Sequence, residues 1–442
     1  MTAFIQILLL FLFTPSAPPV ADAVKVMEIV SAQNDHPLWP NFRPAEIPVL
    51  VYDSVDTWLF FSKEPPDGFI AVEQHPGVFL FKGQHLLVRG NSIVRLGDRW
   101  TATSIFSSYA RRTGEKYTAH DLAGIIIHEQ FHVFQREKHP RWRQNDGVLL
   151  LYPAETPEAL QLRRSEKEAF RRAVVAVNPK EITGWVREAI KYREQRFALV
   201  APVFATYEKE LQRTEGLSDY IERVARRLDP LNASDITNGI APAGVRDLGY
   251  VEGRWIAMIL DKLDTGWKTA LEANDSLYLE DILKKVTNDL SDGLEQFTAS
   301  ELDQLRSEAN TDFIRWQEKK QQEIKQFDEQ PGFRIEIDAA SKPLAIRIFE
   351  PLEIEILDDG TVYHRLIFSA GNDAGSLRIM HHPCITGFDN SLRVTRVLIH
   401  GLEKEPEINE PGKTVKMKEG SSTVELKYAR VTKTGLSWII EL

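Results

Sequence analysis

The hydrophobic pattern of this chain changes period twice, so no single type of secondary structure fits its whole length. From 24 to 117 the apolar runs are brief. Val49-Leu50-Val51-Tyr52, Trp58-Leu59-Phe60-Phe61, Val78-Phe79-Leu80-Phe81 and Leu86-Leu87-Val88 are each bounded by Gly, Pro, Asp or other polar residues, which reads as short strands. From 118 to 330 the spacing turns helical. After Gly332, alternating runs such as Phe333-Arg334-Ile335-Glu336-Ile337 return to strand spacing, and Asp358-Asp359-Gly360 marks a hairpin turn. At 442 residues the chain exceeds one ordinary domain. The expected architecture is α+β: an N-terminal β-rich segment (24–117), a helical domain (118–330) and a C-terminal all-β domain (331–442).

Within the helical stretch, Thr118-Ala119-His120-Asp121 has the form of a capping box, and the helix it opens should stop near His139-Pro140. Further helices are expected over 158–177 and 183–228, the second bent at Pro202. A long loop over 229–249 precedes renewed helical spacing from Tyr250 to Leu263, and 301–329 reads as a charge-dense helix with a solvated face.

The first residues read as an export signal. Ile5 to Phe13 is apolar but for Gln6, Thr14-Pro15-Ser16 breaks the run, and Ala21-Asp22-Ala23 fits an A-x-A cleavage site, with the cut expected after Ala23. The run falls well short of the roughly 20 apolar residues that span a bilayer, so the mature chain is expected to be periplasmic or secreted, with no transmembrane span. The one cysteine, Cys384, excludes an intramolecular disulfide. A formal charge of −10 argues against nucleic acid as a partner.

The residues that carry chemistry are His128-Glu129-Gln130-Phe131-His132. Side chains four apart on a helix share a face, so His128 and His132 can direct ring nitrogens at one ion. A catalytic zinc site takes about three protein ligands and keeps a position open. The ion lowers the pKa of water, and Glu129, beside the first histidine, can accept the proton and pass it to a leaving amine. The third ligand is sought in Glu215-Gly216-Leu217-Ser218-Asp219-Tyr220, where Glu215 is the candidate ligand and Asp219, four residues on, a carboxylate able to orient a ligand histidine. Glu166, on a nearer helix, is the alternative third ligand. Both acids of the 215–219 pair also fit an ordinary solvated helix face.

His-Glu-x-x-His followed by a Glu-Gly-x-x-x-Tyr helix resembles the gluzincin zinc metallopeptidases, in their aminopeptidase-N-like and thermolysin-like branches. The resemblance implies a zincin-like helical domain, Zn2+ as cofactor and a peptide or protein as substrate. Tyr250-Val251-Glu252-Gly253 is similar to the Tyr-x-x-Gly segment of the aminopeptidase branch, which implies that Tyr250 meets the oxyanion of the tetrahedral intermediate. By residue type alone, a core tyrosine fits equally. A wider likeness joins the chain to a group of uncharacterised bacterial proteins through His128 to His132, Glu166-Lys167-Glu168-Ala169-Phe170, Glu215 to Tyr220 and Tyr250 to Asp261, over roughly 40–270. Two departures stand out. Residues 133 to 214 separate the second histidine from Glu215, far more than in the aminopeptidase branch, although loop-closure cost grows only slowly with length. The Gly-x-Met-Glu-Asn strand of aminopeptidases is missing, so their specificity does not carry over.

The expected function is an exported zinc-dependent metallopeptidase-like hydrolase. The alternative is a non-catalytic exported metal-binding or scaffold protein. An intact Glu129 counts against that alternative, because a purely structural site prefers a fourth protein ligand to a base.

Overall fold

The computed structural model describes residues 19–35, 38–106, 118–227, 245–289, 295–409, 413–427 and 429–442. The apolar run Ile5 to Phe13 and most of the loop expected over 229–249 lie outside them. The chain divides into two compact units: Met1–Pro140 with Ile221–Asp229, and Arg141–Tyr220 with Pro230–Leu442. The architecture is α+β, with N-terminal strands, a central helical region and a C-terminal β region.

In the first unit, six strands form one sheet in the order β3-β4-β2-β1-β6-β5. These are β1 (Val49–Tyr52), β2 (Thr57–Phe60), β3 (Ile70–Ala71), β4 (Phe79–Phe81), β5 (Ser92–Leu96) and β6 (Arg99–Ile105). All pairs are antiparallel except β1 with β6. Leu50, Leu59, Phe69, Phe79 and Val88 make its small core. Leu86 to Val88 forms no strand. Among the described residues the first element is a helix, α1 (Pro19–Ala32), and from residue 24 it replaces the short extended runs the pattern predicts. Its buried residues Ala23, Val26, Met27 and Val30 sit at i, i+3, i+4 and i+7, the spacing of one helix face.

Helix α2 (Ala119–Lys138) packs against α1, β5 and β6. Its capping box is present: Asp121 N donates to Thr118 Oγ1, and Thr118 N donates to the Asp121 carboxylate. One face is aromatic, with Phe131 edge-on to Trp39 and Phe42. On the same side, Gln130 Nε2 donates to the carbonyls of Pro44 and Ile47 at 2.9 and 2.8 Å. These contacts leave the opposite face, with the histidines, for other work.

The second unit holds α3 (Pro157–Val175), α4 (Pro179–Phe197), α5 (Pro202–Leu211), the start of α6 (Leu217–Arg226), α7 (Val245–Leu263), α8 (Trp267–Glu272), α9 (Leu279–Asp289) and α10 (Ala299–Asp328). The unit boundary falls inside α6. Pro202 does not bend a long helix. It occupies the first turn of α5, where its missing N–H costs nothing, and α4 has already ended at Phe197. Helix α10 is largely solvated, as its charge predicts, but buries Ala309, Trp316, Lys320 and Phe327.

Strands β7 (Phe333–Asp338), β8 (Leu344–Phe349), β9 (Ile354–Ile356), β10 (Val362–His364), β11 (Ile367–Asn372), β12 (Gly375–Met380), β13 (Cys384–Phe388), β14 (Arg393–Leu402), β15 (Glu407–Asn409), β16 (Thr414–Glu419), β17 (Ser422–Lys427), β18 (Arg430–Thr434) and β19 (Ser437–Glu441) form a 13-stranded sheet. Every pair is antiparallel except β7 with β19. In β17 alternate residues are buried, and of these Val424 and Leu426 join Ile337, Phe368, Ile379, Val397 and Ile440 in one core. No helix among the described residues is long and apolar enough to cross a membrane.

Candidate metal centre

The histidine face of α2 runs through Gly124, His128, His132 and Gln135, four residues apart and then three. At Gly124 the C-terminal half of α6 passes so close that a Cβ would stand 2.3 Å from Arg226 Cδ. Arg226 bonds both Asp121 and Glu222, tying the end of α6 to the first turn of α2. Glycine at 124 is thus what lets the two helices meet.

This approach orients both imidazoles. His132 Nδ1 lies 2.9 Å from Gln135 Oε1. An amide oxygen can only accept, so Nδ1 carries the proton and Nε2 presents a lone pair. His128 Nδ1 lies 3.3 Å from Glu222 Oε2, an ion-pair contact without hydrogen-bond alignment, and the carboxylate favours a proton on that nitrogen electrostatically. Burial raises the Glu222 carboxyl pKa, but His128 and Arg226 outweigh burial and hold it below its ordinary value.

The two Nε2 atoms face each other at 3.2 Å. Two lone pairs at that distance repel unless a proton or a metal ion stands between them. Two nitrogens bound at about 2.0–2.1 Å to a tetrahedral ion would be about 3.3 Å apart, so the spacing fits a metal. One ligand atom from each of His128, His132 and Glu215 lies within 4.8 Å of the others, and this group could hold a metal ion. The donor set, two imidazoles and a carboxylate, is one that binds divalent metal ions.

Glu215 reaches its position through an irregularity. Gln212–Gly216, between α5 and α6, winds as a π turn, a widening that often marks a functional site. The turn packs backbone to backbone on α7: a Cβ on Gly253 would stand 2.3 Å from Gln212 O and 2.8 Å from Gly216 Cα. Glu215 is buried, and its Oε1 accepts from Gln144 Nε2 at 2.9 Å and from Arg246 Nη2 at 2.7 Å. Arg246 also bonds Asp146, whose second partner is Tyr207 Oη at 3.0 Å. Burial raises the Asp146 pKa against the pull of Arg246.

Glu166 sits elsewhere. Fully buried on α3, it accepts from Arg193 Nε at 2.6 Å on one oxygen and Arg196 Nε at 2.8 Å on the other. The same arginines reach Glu252 and Glu208, so Glu166 belongs to a buried charge cluster joining α3, α4, α5 and α7. Asp219 is set against Arg254. Three residues further along α6, Glu222 is the carboxylate the structure brings to His128, a residue that sequence reasoning missed. The available signal was its spacing of seven from Glu215, two helical turns on one face.

Tyr250 lies on α7, four residues after Arg246, with its ring centroid 5.9 Å from the Arg246 guanidinium. Gly253, its partner in the Tyr-x-x-Gly pattern, is the glycine that admits the π turn. Glu129 follows His128 on α2 and is partly buried.

Compared with known protein families, curated proteins and solved structures, the chain matches none. The likeness to gluzincins therefore stands on these residues alone, and within it the supported statement is that His128, His132 and Glu215 stand close enough together to hold a metal ion.

Proposed function

We propose that this protein is an exported zinc-dependent hydrolase that cleaves peptide bonds. The observation that carries the reading is the pair of facing Nε2 atoms at 3.2 Å with the Glu215 carboxylate beside them and Glu129 next in sequence to His128. His128, His132 and Glu215 would hold the ion, and Glu222 and Gln135 would fix the imidazole tautomers. A zinc ion supplies Lewis acidity, polarising a carbonyl and lowering the pKa of water. Glu129 would take up the proton from the attacking water and return it to the leaving amine. Tyr250 would donate a hydrogen bond to the developing oxyanion. A signal cut after Ala23 would leave Val26, Met27 and Val30 in place on the buried face of α1.

Labelled peptide pools incubated with the purified chain and with Glu129→Gln test the reading. Cleavage by the wild type alone supports it. Equal signal from both proteins rules out the peptidase, and zinc binding with no cleavage by either leaves the non-catalytic metal-binding protein ahead.

A further inference from the structure

Arg246 has a second neighbourhood. Besides bonding Glu215 it lines a cavity of about 70 Å3, walled by Leu149, Val245, Trp316, Ile354 and Ile356. Val245 begins α7, Trp316 comes from α10, and Ile354 and Ile356 are the two isoleucines of β9. Helical and β regions of one unit therefore build it together. The walls are anchored: Trp316 Nε1 donates to Glu355 Oε1 at 2.8 Å, and Leu149, Val245, Ile354 and Ile356 share one apolar cluster. Leu352, also in the lining, is 48% exposed and marks the opening to solvent.

We propose that this cavity receives the branched aliphatic side chain of a substrate residue next to the bond presented at the metal centre, a role that rests on the peptidase reading above. Size argues for it. The cavity is about half of the ~150 Å3 known to take a benzene ring, which suits an isopropyl or isobutyl group and excludes an indole. Lining chemistry agrees, since Leu149, Tyr152, Val245, Trp316, Ile354 and Ile356 give it aliphatic and aromatic walls, and the carboxylates of Glu155 and Glu355 are already paired with Arg163 and Arg365. Position agrees too. Arg246 is among the residues lining the cavity, and its Nη2 stands 2.7 Å from Glu215 Oε1. On this account β9 and α10 give the C-terminal region a task, closing a specificity pocket that the gluzincin-like helices do not complete by themselves.

The test reads binding without turnover. The full chain is labelled with 5-fluorotryptophan, and the Trp316 fluorine resonance is identified by its loss in Trp316→Phe. It is then titrated with N-acetyl-leucinamide, N-acetyl-glycinamide and N-acetyl-tryptophanamide. The expected result is a saturable shift with the leucine probe, weaker by on the order of tenfold or more with the others. Ala154→Phe, filling the pocket from its wall, and Leu352→Trp, crowding its mouth, should each abolish the shift. Equal response to all three probes, or a leucine response that survives in a folded Ala154→Phe or Leu352→Trp protein, overturns the proposal. A chain that binds zinc but does not discriminate the probes sinks the pocket alone. A chain that discriminates them but binds no zinc sinks the metallopeptidase reading, and with it the pocket's role toward a substrate.

Discussion

Glu222 Oε2 stands 3.3 Å from His128 Nδ1, on a helix that also leads back to Glu215. A carboxylate beside Nδ1 favours the proton there and raises the basicity of Nε2. Replacing it with the isosteric amide, Glu222→Gln, should weaken zinc binding by on the order of 10–100-fold while the chain stays folded. Competition with a chelator measures this. Asp219→Asn, at a carboxylate set against Arg254, should cost less affinity.

Gly253→Ala should be destabilising although it adds one methyl group. The new Cβ would meet backbone, Gln212 O at 2.3 Å and Gly216 Cα at 2.8 Å, and backbone cannot rotate away as a side chain can. The expected cost is about 1–3 kcal/mol, as for other overpacked sites, with a fall in zinc affinity because the π turn carries Glu215. Gly90→Ala, which meets nothing within 4 Å, is the control. Thermal unfolding of the two variants beside the wild type decides the matter.

Glu166→Ala should cost stability rather than metal. Removing that carboxylate leaves Arg193 and Arg196 buried with one counter-charge fewer, and breaking such a pair typically costs about 3–5 kcal/mol. A lower urea midpoint with zinc stoichiometry retained in the folded fraction is the expected outcome.

The C-terminal β region should be sensitive to acid through His364. Burial among Phe349 and Phe368 pushes its pKa down to about 3. Unfolding restores a value near ~6.5, so between the two values the unfolded chain binds the extra proton. Stability is then fully present above about pH 6.5 and is lost as pH falls toward 3, by up to several kcal/mol. His364→Phe should flatten that stretch of the pH–stability curve, measured by denaturant titration from pH 7 to 4.

What could be read from the sequence was local. The capping box of Thr118 and Asp121, the end of α2 before Pro140 and the alternating run Phe333 to Ile337, which forms β7, each depend on a few adjacent residues, and each appears as expected. Helix α1 carries a readable spacing in Ala23, Val26, Met27 and Val30, but the short runs and prolines that follow it make the segment after the proposed cut look extended. Pro202 was ambiguous because proline both bends helices and starts them. The rest depended on tertiary approach. The π turn at Gln212–Gly216 is fitted to Gly253, 37 residues beyond its last residue. Glu222 meets His128 only because α6 crosses α2 at Gly124. Arg193 and Arg196 enclose Glu166 from another helix, and no spacing around Glu166 announces them.

Zinc content of the purified chain, measured beside Glu215→Ala and Glu166→Ala, tests the central claim most directly. The account predicts about one zinc per wild-type chain, as a three-ligand site requires, lost in Glu215→Ala and retained by folded Glu166→Ala. A wild-type chain that takes up no zinc even after incubation with the metal, or a Glu215→Ala chain that binds it as tightly as the wild type, would contradict the account.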